Sequence, residues 1–242
     1  MLVDSVSART GPRVDEAIGV AFKRARLQKK MSLRQVAEQL GISTSLLSQV
    51  ENQKTQPSVK TLFGLAAVLG VSLDEIATGG TGMDGAEVRL AQNQDASAGI
   101  QRAPDNPVLE MEKGVRWERL ATGGRTDIEP LFVTYEPGAS SSVDGKLMRH
   151  AGVEFAYVLE GTLRLKLEFD EHELRTGDSF CFNSCRPHLF YNAGDIAARG
   201  VWFVFDTTDQ SSDMNALNAA LRPSSTDTAR STSPHAPLFR GQ

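Results

Sequence analysis

The sequence predicts a two-domain chain of the α plus all-β class: an N-terminal bundle of five short helices carrying a helix-turn-helix, then a closed or double-sheet β-architecture. Three observations carry this reading. Apolar residues recur every three or four positions between Val14 and Ala77. From Val115 to Asp206 the period drops to two, in short runs rich in Val, Phe, Tyr and Leu. Residues 78–114, rich in Gly, Ala, Asp and Asn, keep neither period; they read as a linker over 78–86 and then an irregular approach with one short element at AEVRLA.

Charge divides the chain in the same place. The formal net charge is −4, but residues 1–80 hold ten Lys/Arg against seven Asp/Glu, a formal +3, while residues 81–242 hold the other sixteen and twenty-three, a formal −7. A basic helical part suits a polyanion, and an acidic remainder is repelled by phosphate. No apolar run reaches the length of a membrane helix, and residues 1–16 lack the apolar stretch of a signal peptide. The expectation is a cytoplasmic chain with no membrane partner, whose two cysteines, Cys181 and Cys185, stay reduced and pack as small buried hydrophobes.

Taken in order, residues 1–13 form a polar, disordered tail, in which Arg9 and Arg13 would suit a minor-groove arm. A first helix over Val14–Lys30 turns Val14, Ile18, Phe22 and Ala25 inward. Ser32 caps a second, Leu33–Leu40, which Gly41 ends in the left-handed region. Ser43 caps a third, with Leu47 and Val50 inward and Thr44, Ser45, Ser48 and Gln49 outward. Pro57 and Ser58 stop and restart the chain, Leu62, Leu65, Ala66 and Leu69 mark a fourth helix closed by Gly70, and Ser72 caps a fifth at LDEIA.

Two helices joined by a glycine turn, with short polar side chains opening the second, can enter a major groove where bulk would block entry. Base contacts are therefore expected from Thr44, Ser45, Gln49 and Ser48. Phosphate contacts are expected from Arg34, Gln53, Lys54, Ser58 and Lys60, near helix N-termini and in the loop after the third helix. On these residues the segment AEQLGISTSLLSQVENQKTQPS resembles the DNA-binding domain of the XRE, or phage-repressor-like, family, whose pattern runs SLxxLAxxxGxSxxxLSxxExGxxxPS. The departure is Gln53, where the family usually has glycine. The resemblance implies a structural ion pair between Arg26 and Glu51.

In the second half, Leu163, Leu165, Leu167 and Phe169 alternate with Arg164, Lys166 and Glu168, and six further runs show strand character. MRHAGVEFAYVLEG is similar to the first cupin motif, HxHxxxExxxxxxG, and LRTGDSFCFNSCRPHLFYN to the second, GDxxxxxxxxPHxxxN. That similarity implies a jelly-roll barrel and a divalent-metal position at Met148, His150, Glu154 and His188. The first histidine of the motif is Met148 here, and a thioether is a poor ligand for hard or borderline ions. His150, Glu154 and His188 still supply two imidazoles and a carboxylate, suited to Zn, Fe, Mn or Ni, or to hydrogen-bonding an organic ligand. The effector pocket is expected to be lined by Met148, His150, Glu154, Tyr157, Phe182, His188, Phe190 and Trp202, with Phe132 and Phe180 as further interior aromatics.

Residues 15–77 and 115–206 together resemble XRE regulators with a cupin sensor domain. The resemblance implies a transcriptional regulator that is not an enzyme: a homodimer on a double-stranded operator, with half-sites about 34 Å apart, whose barrel binds a small-molecule effector. The alternatives are a metal-dependent cupin enzyme of dioxygenase or isomerase type fused to a DNA-binding module, and a ligand-free dimerisation scaffold. Residues 207–242, rich in Ser, Thr and Pro, read as a mobile tail with a short helix at MNALNAALR.

Overall fold

The computed structural model describes residues 15–71, 99–123 and 128–205. Four helices occupy the N-terminal part: α1 (Asp15–Gln28), α2 (Leu33–Leu40), α3 (Thr44–Glu51) and α4 (Val59–Leu69). The fifth helix expected at LDEIA, the 1–13 tail, AEVRLA and the 207–242 tail fall outside the described residues. The bundle therefore counts four helices among the described residues where the sequence suggested five.

Serine side chains start three of these helices. Ser32 accepts from the Gln35 N–H at 3.2 Å while the Gln35 side chain accepts from the Ser32 N–H at 2.8 Å, a reciprocal capping box. Ser43 and Ser58 accept from Leu46 and Thr61. Gly41 ends α2 at φ +64°, a conformation that costs glycine nothing. Phe22, Val36, Leu47, Leu62 and Leu65 are fully enclosed between the helices. At Gly19 a Cβ would sit 2.5 Å from the Val50 carbonyl oxygen, so α1 crosses the end of α3 at backbone contact.

Nine strands follow: β1 (Val108–Met111), β2 (Val115–Arg119), β3 (Ile128–Tyr135), β4 (Val153–Glu160), β5 (Thr162–Leu167), β6 (Asp170–Arg175), β7 (Ser179–Asn183), β8 (His188–Tyr191) and β9 (Ala198–Phe205). They form a six-stranded sheet in the order β1-β2-β3-β9-β4-β7 and a three-stranded sheet in the order β6-β5-β8, antiparallel throughout. Bridges Ser140–Tyr191 and Met148–His188 lay the 140–148 segment along the outer edge of β8. The core lies between the sheets, where Leu131, Val133, Ala156, Leu163, Leu165, Phe182, Phe190 and Trp202 are buried.

Two strands are additions to the sequence reading. β1 lies in the stretch read as an irregular approach, and β6 in DEHELR, a charged segment without an apolar period of two. β6 lacks apolar alternation because it is held by charge across to β5: Glu173 pairs with Arg164, and Glu171 with Lys166 at 3.9 Å. Phe169 falls in the β5–β6 turn, fully exposed, and does not continue the inner row of β5. The helical and barrel cores form one continuous apolar cluster, with Phe63 of α4 edge-on to Trp117 of β2 at 5.9 Å.

Candidate functional site

The third helix divides as its spacing requires. Leu47 and Val50 are buried, Thr44, Ser45 and Gln49 are exposed, and Ser48 is half-buried. Gln49 Nε2 donates to Ser45 Oγ at 3.2 Å, a bond along the helix that is readily exchanged for a base edge. Arg34 and Lys54 are also exposed; Arg34 pairs with Glu38 one turn on. Gln53, beside Lys54, has φ +59°, the left-handed backbone that glycine adopts more cheaply.

Ser58 and Lys60 differ from this expectation. Ser58 is buried as the α4 cap. Lys60 turns to the barrel: its Nζ lies 3.0 Å from both Asp144 oxygens, and its N–H donates to the Ser141 carbonyl at 3.0 Å. Both are engaged because α4 enters the bundle at the seam with the barrel, which sequence spacing does not reveal. Asp144 is held well below the usual carboxylate range, first by the Ser142 hydroxyl and then by Lys60 and Lys146.

Arg26 and Glu51 meet in the helical core. Arg26 Nε and Nη2 donate to the two Glu51 oxygens at 2.6 and 2.7 Å, and Nη1 donates to the Met31 carbonyl at 3.0 Å. This fork-to-fork pair ties α1 to α3 and satisfies both Glu51 oxygens.

In the barrel, three elements bring His150, Glu154 and His188 together, with their ligand atoms all within 4.8 Å of one another. The His150 N–H bonds to the Ser184 carbonyl and the Ser184 N–H to that of Gly152, fixing the loop before β4. Glu154 lies on the inner row of β4 opposite Phe182 and Val204, and His188 opens β8 opposite Met148. His150 Nε2 is 2.7 Å and His188 Nε2 3.2 Å from the same Glu154 Oε1, which also accepts from Ser184 Oγ. Burial alone would push Glu154 up, but the His150 hydrogen bond and the close approach of both imidazoles outweigh it and hold the carboxyl at about 2.

The far side of each imidazole fixes its near side. His150 Nδ1 faces the Ala151 carbonyl at 3.0 Å and His188 Nδ1 the Arg186 carbonyl at 2.8 Å, so both Nδ1 atoms carry a hydrogen. Neutral rings would then aim two Nε2 lone pairs at a carboxylate oxygen, which is stable only with a cation between them: added protons, or a metal ion. His188 Nε2 is buried without a hydrogen bond, its position near Glu154 being off the line of one. The carbonyl-anchored histidines are the usual outer support of metal-ligating imidazoles. Ligands at about 2.1 Å from one ion and at right angles stand about 3 Å apart, which the two separations from Glu154 Oε1 match.

Around His188 stand Met148, Phe182 and Phe190, with Trp202 beyond Phe190 at 5.9 Å, all buried. Tyr157 does not join them. It is three residues from Glu154 on a strand of period two, which turns it to the outer face, 42% exposed. Phe132 takes the same outer row through Val201, its partner and Tyr157's. Cys181, opposite Phe155, and Cys185 are exposed, correcting the expectation of buried thiols.

Three neighbours of the cluster went unread in the sequence. Tyr135 lies on the inner row with Leu131 and Val133; burial and then the Glu154 charge keep its phenol protonated well above its ordinary range. Ser184 is a polar residue inside the second cupin motif. Phe63 stacks in parallel on His150 with centroids 3.8 Å apart; its only sequence signal is an aromatic beside the Leu62, Leu65, Leu69 stripe.

A helix-turn-helix head with a polar reading face, joined to a cupin barrel, defines the class of DNA-binding regulator. The helix-turn-helix family matches residues 22–76 and the cupin domain family residues 131–204. The HTH-type transcriptional regulator PuuR of Escherichia coli is 30% identical over 73% of this chain and 88% of its own length. The regulator SutR of the same species is 23% identical over 74% and 88%. A crystal structure of an HTH_3 family transcriptional regulator from Vibrio cholerae shares the fold at TM-score 0.52 and 20% identity, covering 79% of this chain and 96% of that one. The chain belongs to the XRE-type helix-turn-helix transcriptional regulators that carry a cupin domain. Among the described residues no helix is long and apolar enough to cross a membrane.

Proposed function

We propose that the chain is an operator-binding homodimer whose barrel binds a small-molecule effector and thereby changes operator affinity. Thr44, Ser45, Ser48 and Gln49 read bases, and Arg34, Gln53 and Lys54 hold phosphates. His150, Glu154 and His188 would hold a divalent cation, which supplies a fixed positive charge able to bind an anionic or carbonyl group of the effector. The observation that carries the effector reading is the buried, hydrogen-bond-free Nε2 of His188 facing an ionised Glu154. A buried polar atom without a hydrogen-bond partner calls for an explanation, and a ligand bound between His188 and Glu154 supplies one.

A second reading, a metal-dependent enzyme of dioxygenase or isomerase type, is favoured by the same two-imidazole, one-carboxylate set. Against it stands Met148 in the fourth position. Selection of duplexes from a random pool by the full-length chain, followed by metabolite screening of the selected complex, separates the two. An enriched inverted repeat whose affinity a metabolite alters without turnover supports the regulator. No enrichment, together with stoichiometric metal and turnover, supports the enzyme.

A further inference from the structure

The N-terminus of α4 is a ready anion site, yet it faces the barrel. The Lys60 N–H, a first-turn donor without a partner in its own helix, is taken by the Ser141 carbonyl, and Lys60 Nζ by both Asp144 oxygens. The Pro57 carbonyl, at the α3–α4 junction, accepts from the Glu112 N–H at 3.1 Å. One turn along α4, Phe63 stacks on His150, whose other edge faces Glu154. With the Phe63–Trp117 edge, five contacts thus bind the helix after the reading head to the barrel, and two of them use groups that suit a DNA phosphate.

We propose that this seam is autoinhibitory: the 140–150 segment competes with DNA for the N-terminus of α4, with Asp144 standing in for a phosphate and the Phe63–His150 stack tying the docked state to the barrel cluster. The inference rests on the DNA-binding reading above and adds the device by which the barrel acts on it. Docking gives two of the three Lys60 Nζ donors to Asp144 and the Lys60 N–H to Ser141, so it withdraws these groups from phosphate. A ligand that turns the His150 ring removes the Phe63 stack and releases the helix. Binding to a partly populated open state is weakened by the closed fraction, so loosening the seam tightens DNA binding.

The test uses the full-length chain and the duplex it enriches from a random pool, at one fixed low salt concentration. Asp144→Asn removes the Lys60 clamp while the Ser142 bond can persist. Phe63→Leu keeps an apolar side chain there, removes the ring contacts with His150 and Trp117 across the seam and changes no charge. Each is expected to tighten binding by at least about three-fold, through the larger open fraction. Hydrogen exchange at the Glu112 amide, whose acceptor lies across the seam, should speed up in both variants and in the wild type on saturation with DNA. Unchanged affinity in Phe63→Leu, or Glu112 protection that DNA leaves unaltered, overturns the proposal. Tighter binding in Asp144→Asn alone, without faster exchange, also overturns it, because the lost negative charge then explains the gain. A wild type that binds no duplex would instead sink the DNA-binding reading itself.

Discussion

Two buried carboxylates, Glu51 and Glu154, have opposite relations to their partners. Glu51 gives each oxygen to one N–H of a single guanidinium, with every distance short and nothing left over. Glu154 offers one oxygen to two imidazoles and a hydroxyl, and the arrangement leaves His188 Nε2 without a hydrogen bond. A closed pair can only hold helices together. An open one has room in its bonding for something further, and the difference separates a strut from a site.

The largest effect that sharpens this contrast is on stability. Glu51→Ala leaves the Arg26 guanidinium buried and unpaired, and should destabilise the chain by about 3–5 kcal/mol in urea unfolding followed by circular dichroism. Glu154→Gln keeps the shape and relieves the facing lone pairs, so its cost should stay under about 1.5 kcal/mol. Equal losses would erase the distinction. Cation binding should invert the order: Glu154→Gln should lower Zn(II) affinity by more than the roughly 100-fold typical of losing an outer support, while an Arg26→Lys chain that remains folded should bind as the wild type does. Titration calorimetry reads both.

Smaller effects fall on DNA. Gln49→Ala should cost about 1–3 kcal/mol on the selected duplex and relax preference at one position per half-site. Lys54→Ala should weaken all sequences alike and reduce the salt slope by about one. Equal losses on selected and random duplexes for both variants would show that the reading face is elsewhere. The smallest change is at Gln53: glycine relieves the +59° φ and should raise stability by at most about 1 kcal/mol, with no change in base preference.

What was legible in the sequence was local. Ser32, Ser43 and Ser58 announce helix starts, and Gly41 and Gly70 their ends, because capping depends on neighbours within a few residues. His150 and Glu154, four apart, and His188 further on follow a motif spacing that the fold brings to one point. Tyr157 was misassigned although its parity with Glu154 already put it on the other face. β6 was missed because it is stabilised by cross-strand charge, which leaves no hydrophobic period. The docking of Lys60 on Asp144 and of Phe63 on His150 was not legible, since it depends on which barrel surface meets α4, and residues 60 and 144 have no local relation.

The most direct measurement is native mass spectrometry with elemental analysis on the wild type and Glu154→Gln, both purified without chelator. The wild type is expected to be a dimer carrying one divalent cation per protomer, and the variant a dimer carrying none. Equal metal content in the two, or none in either, would contradict the claim that Glu154, unlike Glu51, is part of a binding site.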